Sequence, residues 1–104
     1  MIWYDAVAYF FGGAFFVNGI PHFVSGVCGR TFPSPFASPP GKGLSSAVVN
    51  VIWGAVNLGV GYFLMWRVGV FDLRSTRDVV VAGVGGLAMG VMLARVFGEN
   101  RAIG

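Results

Sequence analysis

Charge is what this sequence has least of. Of its 104 residues, 11% are Asp, Glu, Lys or Arg, against roughly 25% in a soluble globular domain. The shortage is regional: no such residue occurs from Ala6 to Gly29, from Gly43 to Trp66 or from Val79 to Ala94. These runs exclude water as the main solvent of the chain, because a helix crossing ~30 Å of hydrocarbon needs about 20 mostly apolar residues. The first two runs are long enough, and Phe97 and Gly98 complete the third if Arg95 snorkels to the headgroups. A single cysteine, Cys28, excludes an internal disulfide. With one histidine and four acidic residues, no nucleophile, base and orienting group come together, so no enzymatic activity of its own is expected.

The net charge is +3, but the seven Lys and Arg residues sit at run ends and in connections and form no clustered face. That distribution fits membrane anchoring and gives no reason to expect a nucleic-acid partner. The expected architecture is all-α: one integral membrane domain, a bundle of three transmembrane helices over residues 3–23, 45–67 and 78–98. A long Pro/Gly-rich interfacial loop joins helices 1 and 2. The first span is expected to be retained. Asp5 stands where a signal peptide would carry a basic residue, and Val27 fills the place before Cys28 where a lipoprotein signal needs a small one.

Trp3 and Tyr4 provide an aromatic anchor at the start of span one, and Asp5 suits the positive end of its dipole. At helical spacing, Asp5, Ala8, Gly12, Phe15, Gly19 and His22 form one stripe with Asn18 beside it, leaving Phe10, Phe11, Phe16 and Val17 free to face lipid. Pro21 predicts a kink or the helix end, because it lacks an amide donor and disfavours helical Ile20. The connection that follows holds four of the five prolines. It is expected in the headgroup region, with Phe32 and Phe36 dipping into lipid or covering the bundle mouth. Ser45 or Ser46 caps span two, whose face Asn50, Gly54, Asn57 and Gly61 is a seam of amides and small residues. Buried amides need partners, and Asn18, His22 or a second subunit are the natural ones. Ala82, Gly86, Gly90 and Ala94 recur every fourth residue on span three. With Gly12, Gly19, Gly54 and Gly61 they are the candidate helix-packing positions.

His22 carries several possible chemistries. Its imidazole suits ligation of haem or another metal, a hydrogen bond to a quinone carbonyl, or proton relay. It equally suits a structural bond to Asn18 or a loop carbonyl. Cys28 is the one further candidate metal ligand, and two ligands do not fill a tetrahedral site. Asn18, Asn50 and Asn57 suit either a pocket for a ligand headgroup or the registration of helices.

Gly19-Ile20-Pro21-His22-Phe23, the prolines from Pro33 to Pro40 and the face from Gly54 to Gly61 resemble the DoxX-like group of small bacterial membrane proteins. There a first span ending in glycine and His-Phe precedes a proline-bearing loop and a Gly-rich second span. The likeness spans the first two-thirds of the chain. That family has a fourth span, which is not expected here, and Asn57 stands where it would place an acid. Small multidrug transporters are similar in length, but they carry a glutamate in the first span that this chain lacks.

The leading expectation is a non-catalytic accessory or structural subunit of a membrane complex, such as a respiratory or photosynthetic one, packed through its Gly, Ala and Asn faces. Its partners would be the lipid bilayer and other membrane subunits or copies of itself. The alternative is a protein that binds or transports a small molecule, whether quinone, haem or a lipid-like ligand, through His22, Asn18, Asn50 and Asn57. A bacterial cytoplasmic membrane is the expected location. Arg67, Arg74 and Arg77 on one side against Arg30, Lys42, Arg95 and Arg101 on the other give little asymmetry. The acidic start and basic end of span one favour an external amino terminus.

Overall fold

The computed structural model describes residues 2–103, with side chains to Glu99; the Arg101 side chain lies outside the described residues. The chain is all-helical but for one two-residue strand pair. In order it forms α1 (Trp3–Val27), β1 (Phe32–Pro33), β2 (Leu44–Ser45), α2 (Ala47–Tyr62, continuing as a π-helical segment over Phe63–Val68) and α3 (Thr76–Ile103). Three helical stretches, Trp3–Val27, Ala47–Val68 and Thr76–Glu99, are long and apolar enough to cross a membrane.

The end of α1 departs from the expectation of a stop near Pro21. The helix runs through Pro21 to Val27, because the residues beyond the proline are held from outside. A side chain at Gly26 would collide with the Ala47 carbonyl and with Val51, so the last turn of α1 lies directly on the start of α2. The terminator is Gly29, with φ 74°, a left-handed conformation natural only to glycine. Its N–H donates to the Gly26 carbonyl and that of Arg30 to the Ser25 carbonyl, each at 2.9 Å. Together these two bonds make a Schellman cap.

The proline-rich connection is folded on itself. Phe32 pairs with Ser45 and Pro33 with Leu44, Ser34 and Ser45 share a hydroxyl bond of 2.6 Å, and the Gly41 N–H donates to the Ser34 carbonyl at 2.8 Å. Ser46, not Ser45, caps α2 by accepting from the Val49 N–H. At the other end of the molecule, Tyr9 Oη accepts from the Val70 N–H at 3.0 Å. Tyr9 also packs with Phe71, Met65 and Ala82 in a small core.

α1 is the central helix: α2 and α3 each pack along it and make little contact with each other. Toward α2 it offers Gly12, Gly19 and Gly26, where an added Cβ would meet Met65, the Gly54 carbonyl and the Ala47 carbonyl respectively. Toward α3 the closest approach is at Gly13 and Gly85, whose Cβ atoms would strike the Ala82 and Phe10 carbonyls. Phe16 and Val17 therefore do not face outward as the single-stripe reading expects. Phe16 packs on Gly61 and Val17 on Gly86, because a helix shared by two neighbours needs two inward faces.

Of the candidate packing positions, Gly12, Gly19, Gly54, Gly61, Ala82 and Gly86 lie in these seams and are buried. Gly90 is in ordinary contact range of Val17, and Ala94 is exposed. A row of every fourth residue drifts by about 40° per step on a straight helix, so this one leaves the seam before it reaches Ala94. α3 is the least covered helix, with 11% of its most apolar window buried against 39% in α1.

Gly85→Ala is expected to destabilise the detergent-solubilised protein by about 1–3 kcal/mol by forcing apart two backbones. Gly83→Ala, beside open space, should stay within about 0.5 kcal/mol. Thermal or denaturant unfolding that ranks the two equally would contradict the packing of α3 on α1.

Candidate functional site

The polar residues of α1 and α2 meet in two pairs, one buried and one part-buried. Asn18 Nδ2 donates to Asn57 Oδ1 at 2.8 Å, and His22 Nδ1 lies 2.8 Å from Asn50 Oδ1. Both are helix-to-helix bonds at the level where Gly19 and Gly54 let the backbones close. The partner of His22 is therefore Asn50, not Asn18 or a loop carbonyl.

Asn50 determines the state of the imidazole. Its Nδ2 lies 3.1 Å from the Phe32 carbonyl, 3.3 Å from that of Ser45 and 3.1 Å from that of Ser46. Three acceptors around one amide nitrogen fix which way the side chain is turned, since the flipped amide would face oxygen to oxygen. Asn50 Oδ1 is thus the acceptor toward His22, and Nδ1 carries the proton. In the neutral ring Nε2 is then the bare nitrogen. It has no hydrogen-bond partner among the described residues. A bonded Nδ1–H with a free Nε2 is the arrangement of a histidine prepared to accept a proton donor or a metal.

His22 and Asn18 face a cleft of about 170 Å³ between α1, the folded connection, α2 and α3, whose wall includes Pro33, Trp53, Met92 and Phe97. The ring of His22 sits edge-on to Phe32, Trp53 and Phe97, with centroids 5.4, 6.4 and 6.2 Å away. Phe32 and Phe97 meet edge to face with centroids 4.7 Å apart, and Phe97 is part of the cleft wall. Phe36 instead is exposed, its ring 5.1 Å from that of Trp53. The Trp53 indole N–H is buried with no acceptor among the described residues, an omission that costs about 1–3 kcal/mol.

The four expected binding residues therefore divide. His22 and Asn18 line the cleft, while Asn50 and Asn57, at 0% and 1% exposure, stand behind them and orient them. Cys28 is exposed at the end of α1, six residues beyond buried His22 and so about 9 Å along the axis; the two do not form a metal site. Among the described residues no three His, Cys, Asp or Glu side chains gather to hold a metal. Trp53 and Phe97 are the site residues that sequence reasoning misses. The available signal was a tryptophan in the middle of a span, away from the ends where indoles usually anchor.

Asn50→Leu is expected to destabilise the protein by about 2–4 kcal/mol, since it strands loop carbonyls and the His22 Nδ1–H together. Asn57→Leu removes one interhelical bond and should cost about 0.5–1.5 kcal/mol. Equal losses in denaturant unfolding would contradict the central position of Asn50.

No family model, curated protein or solved structure matches this chain.

Proposed function

We propose that the protein is a three-span integral membrane protein that binds a small molecule in the cleft beneath its proline-rich connection. One observation carries this: His22 Nε2, Asn18 Oδ1 and the Trp53 indole N–H all lack partners among the described residues, and all three residues belong to the wall of one cleft. The Trp53 N–H is fully buried and so carries a desolvation penalty that packing alone does not explain, while His22 and Asn18 present their polar groups to the cleft. The glycine faces that would otherwise argue for a purely structural subunit are largely used inside the chain. Membrane insertion is supported by spans of 25, 22 and 24 residues. The longest dimension, 44 Å, also matches a bilayer with its headgroups, about 40–45 Å.

A second reading, an accessory subunit of a larger membrane complex, is favoured by α3. Gly83 and Gly98 have open space around them, and the outward side of α3 is apolar and uncovered. Kinship with the DoxX-like group is likewise a proposal, resting on the short motifs around His22 and Gly54.

Native mass measurement after gentle extraction separates the two. A particle of this chain alone that retains a small molecule, and loses it in His22→Leu, is the expected result. A particle containing a second polypeptide and no small molecule would replace the first reading with the second.

A bacterial cytoplasmic membrane, with the amino terminus outside and the connection inside, is the proposed setting. Cys28, the only cysteine, is exposed beside that connection and reports on it directly. In intact bacterial cells a membrane-impermeant maleimide is expected to leave Cys28 unmodified until the membrane is permeabilised. Modification without permeabilisation would reverse the orientation.

A further inference from the structure

The cleft does not end at Asn18. On α1, Phe11, Phe15, Asn18 and His22 fall on one stripe at spacings of four, three and four. The lower half of that stripe lines a second, wholly apolar groove of about 320 Å³ with Ala88 and Met89 of α3. Met92 belongs to the walls of both cavities, so the polar cleft and the apolar groove adjoin along the flank of α3, with the flexible Met92 side chain between them. From Asn18 to Phe11 the path is two helical turns, about 10 Å.

The polar end has a definite chemistry. Among the described residues no charged side chain lines it, and His22 is its only titratable group. A charged head would therefore be desolvated without a counterion and is disfavoured. His22 Nε2 needs a donor and the Trp53 indole needs an acceptor; a hydroxyl group is both at once. The volume limits the head to about one ring, since a cavity of about 150 Å³ accommodates benzene. The aromatic edges of Phe97 and Trp53 suit a flat or cyclic body.

We propose that the occupant is a neutral amphiphile drawn from the bilayer, with a hydroxyl on a single ring and a hydrocarbon tail. The hydroxyl donates to His22 Nε2 and accepts from the Trp53 N–H, and the tail lies in the groove along Phe11, Phe15 and Met89. This rests on the ligand-binding reading above and adds the class and pose of the ligand.

The test uses the full chain in nanodiscs of dimyristoyl phosphatidylcholine, titrated with para-octylphenol, para-octylanisole and octylbenzene. Affinity is expressed per mole of lipid and followed through the indole N–H resonance of Trp53. The phenol is expected to bind about tenfold or more tighter than its methyl ether, the worth of one buried hydrogen bond, and to shift the indole resonance. Ala88→Phe, a change at an exposed position of the groove, should weaken para-octylphenol severalfold while leaving para-ethylphenol unchanged. Equal binding of all three tailed probes would overturn the hydroxyl assignment and leave ligand binding intact. Equal effects of Ala88→Phe on long and short phenols would overturn the placement of the tail. Absence of binding by every probe would overturn this proposal, and the native mass measurement then decides separately whether any ligand binds.

Discussion

The rest of the structure depends on one primary amide. Asn50 has no exposed surface, and its side chain joins three parts of the chain at once. Its nitrogen reaches the carbonyls of Phe32 and of Ser45 and Ser46, and its oxygen holds His22 of α1. A buried amide with a missing partner would cost about as much as the net stability of several ordinary contacts. Satisfying it therefore fixes the depth of the connection, the start of α2 and the rotation of the histidine together. The bare nitrogen of His22 is a consequence of that geometry.

Close approach of backbones makes the amide bonds possible. Where Gly19 faces the Gly54 carbonyl and Gly54 faces the backbone of Phe23, any larger residue would lengthen the short reach of Asn18 to Asn57 and of His22 to Asn50. α1 is in this position on two sides, against α2 through Gly12, Gly19 and Gly26 and against α3 through Gly13. Because α2 and α3 lean on the same helix and not on each other, a seam stays open between them, and the polar cleft lies in that seam. Phe97, in edge contact with Phe32, is part of its wall. The apolar groove adjoins it at Met92. A three-helix arrangement with full mutual contact would have left no such space.

Much of this was legible in the sequence, for physical reasons that also explain what was not. Three runs without charge announce three long apolar helices, because few other structures remove so much apolar surface from water. The recurrence of Asn50, Gly54, Asn57 and Gly61 identifies an inward face, and Asn18 and His22 are natural partners for its amides. Pro21 misleads about the helix end because proline removes only one hydrogen bond, while Gly26 gains direct contact with α2 beyond it; Gly29 is the better stop signal. One stripe on α1 is visible from spacing, but a second face built from Phe10, Gly13 and Val17 alternates large and small and carries no pattern of its own. The node formed by Ser34, Ser45 and Asn50 joins residues far apart in the chain and can be seen only once the connection has folded. Trp53 is hidden for a similar reason, since its significance lies in a donor that finds no acceptor.

The most direct test of the account is the protonation pattern of the His22 ring, read by nitrogen-15 spectroscopy on the protein in lipid bilayers. With Asn50 turned as its three carbonyl contacts require, the proton lies on Nδ1 and Nε2 is bare, and Asn50→Leu abolishes that preference. A ring protonated on Nε2 alone, or one unaffected by loss of Asn50, would contradict it.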